Sequence, residues 1–153
     1  MNTQTHPARI HVDHGSQKRL GQWTTTRDVE VRSRYGRAVI DLRSPHIPGG
    51  DIQVSLDLDR SAVTLLVSGD AVIDQRDLAW TGRGKVKQTF HHPAAAPGRT
   101  IRLTGHVRHG EVRVYSGGIA QLSVICSREF FADARRAHAA GRTPTLDDPA
   151  RDA

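Results

Sequence analysis

Residues 34–44 read RYGRAVIDLRS and residues 108–116 read RHGEVRVYS. Each is a basic residue, a ring, a glycine and then a strand of alternating apolar character. Two further copies lie between them. RSAVTLLVSG (60–69) carries Ser61 in the glycine position, and GKVKQTF (84–90) restores it as Gly84. The anchors at 36, 61, 84 and 110 are therefore separated by 25, 23 and 26 residues. Two, four and six residues beyond them stand Ala38, Ile40 and Leu42; Val63, Leu65 and Val67; Val86, Gln88 and Phe90; and Val112, Val114 and Ser116. Ten of these twelve are apolar, the period-two signature of a strand with one buried face. The intervening positions are mixed, with Val39 and Leu66 among Arg37, Asp41, Thr64, Lys87 and Arg113.

Alternating runs also precede three anchors: Val29 and Val31; Ile52, Val54, Leu56 and Leu58; Ile101, Leu103 and Val107. Each unit thus reads strand, tight turn, strand. Pro45, Pro48, Pro93 and Pro97 fall only in the looser connections, where a missing backbone donor costs little. Gly36, Gly84 and Gly110 read as structural turns that need a positive φ. One such unit cannot bury its apolar face alone, so the copies must stack. The pattern fits a short β-solenoid, and it equally fits an antiparallel β-sandwich.

Towards the C-terminus the pattern changes. IAQLSVIC (119–126) reads as a last strand, followed by Ser127 as N-cap of a helix over REFFADARRAHAA and Gly141 as its stop. This divides the chain into a flexible segment (1–20), a β-domain (21–126), a capping helix (127–141) and a disordered tail (142–153). The Trp23 segment and the helix around Phe130 and Phe131, with both phenylalanines buried, are expected to cover exposed strand edges.

With 37% apolar and 5% aromatic residues, the core must be mostly Val, Ile, Leu and Ala. No apolar run approaches a bilayer span, and the N-terminus lacks the apolar stretch of a secretory signal. Cys126 is the single cysteine, so no intramolecular disulfide can form. A cytoplasmic protein is expected.

GQWTTTRDVEVRSRYGRAVIDLRS also resembles the opening of a domain family common in actinobacteria. Members read Trp-Thr-Val, then Val-x-Val-x-Ser-x-x-Gly, then Val-x-Leu-Asp, matched here by Trp23, Thr24, Val29, Val31, Ser33, Gly36, Asp41 and Leu42. Gly84-Lys85-Val86 and Gly110-Glu111-Val112-Arg113-Val114 resemble the family's repeated Gly-x-Val-x-Val turns. That family is related to the C-terminal domain of LiaF-like cell-wall-active antibiotic response proteins and to the adhesin-type solenoids of bacterial surface proteins. The resemblance covers roughly residues 20–126. It implies an all-β chain, a short right-handed β-solenoid of toast-rack-like repeats with one C-terminal helix. It also implies a role in envelope-stress or developmental signalling.

The net charge of +6 is uneven: residues 81–117 carry seven Lys/Arg against one acid, whereas 44–80 carry two against six. Lys85, Lys87, Arg99, Arg102, Arg108 and Arg113 form a candidate basic surface for anions. Single-stranded nucleic acid also needs exposed aromatics as stacking platforms, and only Trp80 and Tyr115 are candidates, so nucleic acid ranks below a protein partner. His91, His92, His106 and His109 invite a metal, but no Cys or carboxylate cluster completes a ligand set. TGRGKVKQ (81–88) fails as a phosphate loop because Val86 follows Lys85 and a strand, not a helix, continues. Cys126 reads as a small buried hydrophobe, and Asp57 and Asp59 as solubilising residues. No residues converge on a reaction. The expected function is a non-catalytic protein-binding scaffold without cofactor or metal. The alternatives are a self-assembling filament former, hence a homo-oligomer, and a weak, nonspecific anion or nucleic-acid binder.

Overall fold

A computed structural model describes residues 6–89, 98–125 and 127–149. Its strands are β1 (Ala8–Asp13), β2 (Ser16–Arg19), β3 (Asp28–Arg34), β4 (Arg37–Asp41), β5 (Ile52–Asp59), β6 (Ala62–Val67), β7 (Val72–Thr89) and β8 (Thr100–Ser116). Two helices follow, α1 (Gly117–Ile125) and α2 (Arg128–Ala139). Phe90, His91, His92 and Cys126 lie outside the described residues.

The strands form one sheet in the order β1-β3-β5-β8-β6-β4-β2, with β7 added on β8. Every pairing among the described strands is parallel, which excludes the antiparallel sandwich. First strands of successive units line up in one row and second strands in another. The long β8 serves both, pairing Ile101 with Ile52 and Val112 with Val63. The result is an all-β, nearly closed, barrel-like sheet. Among the described residues no helix is long and apolar enough to cross a membrane.

Registration follows the alternation. Ala38, Val63 and Val112 stand in one ladder and Ile40, Leu65 and Val114 in the next, all fully buried. Leu56 and Leu58 close the core from the other row. The order in space differs from the order in the chain. The Gly84 unit, on β7, lies outside the Gly110 unit, on β8, although it precedes it in sequence.

Three expectations need correction at the ends. Within the segment 1–20, residues 8–19 are not a flexible lead: β1 and β2 form a fifth unit, with Ile10 opposite Val31 and Gln17 opposite Ala38. Its second strand is SQKR, without an apolar residue, so alternation could not reveal it. Residues 119–125 are not a strand but belong to α1, so two helices rather than one stand among the described residues. A short run that is apolar all round does not distinguish the two by periodicity, and here Ala120 and Val124, four apart, pack on Leu66. Finally, the tail is ordered through 149. Arg43 donates to the carbonyls of Asp147 (2.5 Å) and Leu146 (3.3 Å), while Gln121 donates to the Asp147 carboxylate.

The helices lie over the outer face of the second-strand row, not over an end of the stack. Val39, Leu66 and Tyr115, the apolar residues at outward positions, are the ones they cover, together with Phe130, Leu20 and Leu146. Ser127 caps α2 by accepting from the Phe130 amide at 3.2 Å. Phe130 joins this cluster, but Phe131 is 59% exposed, so one phenylalanine, not two, anchors the helix. Beneath the helices Asp41 is fully buried. Its carboxylate accepts from Arg43 Nε (2.9 Å) and Nη2 (2.9 Å) and from the amides of Arg43 (3.0 Å) and Gly21 (3.1 Å). Trp23 Nε1 donates to the Asp41 carbonyl at 2.6 Å. One buried carboxylate thus ties the Trp23 segment to the stack, and through Arg43 it ties in the tail.

The turn glycines also act differently from expectation. None of Gly36, Gly84 and Gly110 has a positive φ; the left-handed residue is the one before, in Tyr35 and His109 (φ 50° each). The glycines answer to space instead. A Cβ on Gly110 would stand 2.7 Å from the Ser61 carbonyl oxygen and one on Gly36 2.9 Å from that of Gly15, because neighbouring turns stack backbone on backbone.

Three outcomes follow. Aspartate at Ile40, Leu65 or Val114 should cost several kcal/mol, roughly 3–5, through an unpaired buried charge, while Arg37, Thr64 and Arg113 should tolerate it in thermal melts. Gly110→Ala should lose about 1–3 kcal/mol by overpacking, whereas Gly15→Ala, whose Cβ would meet nothing within 4 Å, should be neutral or slightly stabilising. Deleting 142–153 should lower the melting temperature, by about 1–3 kcal/mol of stability, as Leu146 is lost and Arg43 loses two acceptors; an unchanged melt would show that the tail contacts contribute nothing.

Candidate functional site

Each unit turns from its first to its second strand just before its anchor, and in four of the five the residue there is left-handed; in the Gly84 unit the positive φ (75°) falls on Gly82, not on Arg83. His14 and Tyr35 have φ 50°, Arg60 49° and His109 50°. A left-handed non-glycine residue is disfavoured by roughly 1–2 kcal/mol, and glycine would relieve it. The chain instead has a small residue one position later, Gly15, Gly36, Ser61 or Gly110, and at Gly36 and Gly110 the close approach of neighbouring turns leaves no room for a side chain. The strained position carries a ring or a guanidinium at every occurrence.

Stacking brings these residues into one column on the surface. The His14 and Tyr35 rings lie 5.0 Å apart at 16°, and the Arg60 guanidinium sits over the other side of Tyr35 at 5.7 Å. His109 follows in the next unit. Its ring lies against Gly82, and its Nδ1 accepts from the Arg83 amide at 3.4 Å. Tyr35 is half exposed. Between this column and the starts of the second strands runs a shallow groove of ≈ 760 Å³. Its floor is Gly15, Gly36, Ser61 and Gly110; Tyr35, Arg60, His109 and Arg83 stand on one side, and Arg37, Ala62 and Glu111 on the other. Ser61 Oγ is committed to the floor, donating to the Asp59 carbonyl and accepting from the Gly36 amide.

The electrostatics are one-sided. Among the described residues no carboxylate lies within ion-pair distance of Arg37, Arg60 or Arg83. The single acid of the lining, Glu111, is engaged by Arg113 at 2.9 Å and Lys85 at 4.0 Å. Its hydrogen bond to Arg113 raises the pKa of that guanidinium further.

The basic surface expected from the sequence is not gathered this way. Arg102 pairs with Asp51 (3.2 Å), Arg108 with Asp57 (3.4 Å), and Arg113 and Lys85 with Glu111. Arg99 donates to the Ile47 and Pro48 carbonyls, and Lys87 stands exposed on β7. These six are spread over both rows, and five of them have partners. His106 bonds Thr81 Oγ1 at 2.5 Å and is separated from His109 by the turn. Among the described residues no three His, Cys, Asp or Glu side chains meet in a metal-binding group.

Reading from the sequence missed Arg60, Arg83 and His14. The signal was present in the repeated phrase itself. The residue before each anchor is His14, Tyr35, Arg60, Arg83 and His109, a series invisible while attention rests on the apolar positions beyond the anchor.

What the groove offers is positive charge, planar donors and a floor of small side chains. No protein-family model, no curated protein and no solved structure matches this chain.

Proposed function

We propose that the chain is a non-catalytic binding scaffold, built as a short right-handed β-solenoid of five units, with the corner groove as its binding surface. One observation carries this reading. Successive turns place ring or guanidinium side chains in a conformation that glycine or asparagine would adopt with less strain, and the resulting column stands in solvent. Strain kept at an exposed column of rings and a guanidinium points to function rather than to packing.

Two features favour a scaffold over the filament alternative. At the β1–β2 end the inward positions over Ala38 and Ile40 hold Gln17 and Arg19. Gln17 donates to the His11 carbonyl at 2.9 Å, and Arg19 donates to Gln17 Oε1 at 3.1 Å, a polar lid on the apolar stack. At the other end β7 departs from register twice, between Asp74 and Asp77 and between Thr81 and Gly84, and it exposes Lys85 and Lys87. Irregular register and lysines are how edge strands resist addition of another strand. A cellular setting in envelope-stress or developmental signalling, with a protein partner in the cytoplasm, rests on the family resemblance alone.

The test replaces Tyr35, Arg60 and His109 together by asparagine, which accepts the left-handed conformation. The variant should melt within about 1 kcal/mol of the parent or higher, since relieved strain offsets lost stacking and cation–π contacts. It should also lose the partner that the parent retains from extracts of its host. Equal recovery by both proteins, or a markedly less stable variant, would assign the column to structure and remove the groove from function.

A further inference from the structure

Resting on the groove as the binding surface, we infer that its ligand is a linear phosphate polyanion lying along the column, perpendicular to the strands. The first argument is length. Units in a parallel sheet repeat about every 4.8 Å, so the groove from the Gly15 turn to Arg83 is about 19 Å long. It is open along that whole direction rather than closed around a small molecule.

The second argument is the placement of charge. Arg37 and Arg60 stand in adjacent units, His109 in the next and Arg83 in the last. Guanidiniums that recur from unit to unit along both sides of the groove call for a ligand whose negative charges also repeat along it. Guanidinium groups match phosphate oxygens with two parallel donors. The floor of Gly15, Gly36, Ser61 and Gly110 leaves room for a backbone of phosphates to approach.

The third argument sets the mode of recognition. Single strands usually gain affinity by stacking bases on exposed aromatics. Here one face of Tyr35 is against His14 and the other against Arg60, so the ring has no free face for a base. Recognition is therefore by charge, and base identity is immaterial. A phosphodiester strand and inorganic polyphosphate share the chemistry the groove reads.

The experiment measures binding of fluorescently labelled oligothymidylate, with short-chain polyphosphate and a poly-glutamate peptide as competitors, across a salt series. Oligothymidylate and polyphosphate should both bind, and a strand of different base composition should bind as oligothymidylate does. The triple variant Arg37→Gln, Arg60→Gln, Arg83→Gln should lose at least tenfold in affinity and lower the slope of log K against log salt by about 2. The control variant Arg102→Gln, Arg108→Gln, Arg76→Gln removes cations that already hold carboxylates away from the groove and should leave the slope unchanged. Equal losses in both variants would overturn the inference, as would salt-insensitive binding to one base sequence or no binding at low salt. A preference for poly-glutamate would overturn the phosphate assignment. None of these results touches the groove as a binding surface, because the asparagine variant and the host partner test that separately.

Discussion

Parallel, in-register stacking is the constraint on which everything else depends. Each paired strand residue has a counterpart of the same orientation one strand spacing away, so whatever one unit does its neighbours must accommodate. The turns show how tightly this binds them: the Arg37 amide donates to the Gly15 carbonyl, that of Ala62 to Gly36 and that of Glu111 to Ser61, at 2.9–3.1 Å. These bonds satisfy backbone groups that would otherwise be stranded at the bends. They also bring the turns so close that a side chain on Gly36 or Gly110 has no space. The left-handed residues His14, Tyr35, Arg60 and His109, and the column of rings and guanidiniums, follow from the same spacing.

Stacking alone leaves the second-strand row with an apolar outer surface at Val39, Leu66 and Tyr115, which α1, α2 and the tail cover. A single buried carboxylate organises that cover. Asp41 is fully enclosed, a position unfavourable for a carboxylate unless every oxygen has donors, and here four donors from Gly21 and Arg43 converge on it. Its dependence on Arg43 is what draws the carbonyls of Leu146 and Asp147 onto the sheet.

The core was legible in the sequence because a half-buried strand writes its burial into every second residue, as Ile40, Leu65 and Val114 do. The β1–β2 unit was not, since its inward Gln17 and Arg19 are polar for a reason of their own: they close the stack. Helix α1 was misread because a short sequence apolar on all sides carries no period, and only its contact with Leu66 decides between helix and strand. The groove was half legible. Alternation identified where the turns fall, but a list of basic residues does not tell which are neutralised. Arg102 and Arg108 meet aspartates from β5 or the loop before it, about 50 residues away, while Arg60 and Arg83 meet none among the described residues.

The exchanged places of β7 and β8 bear on how the chain is made. As synthesis proceeds, β3 and β4 can add to the unit before them, and β5 and β6 to theirs, each building on an edge already present. The next segment, 72–89, emerges when the growing edge belongs to β5 and β6, yet its native neighbour is β8, which has not been made. It must wait until residues 100–116 dock on β5 and β6, a closure joining Ile52 to Ile101, and then settle on the outside. Such non-local pairing is slow to form and leaves strand edges open in the interval. The growing end of the sheet is thus finished in reverse, and a chain halted at residue 89 would hold a completed strand with no place to sit.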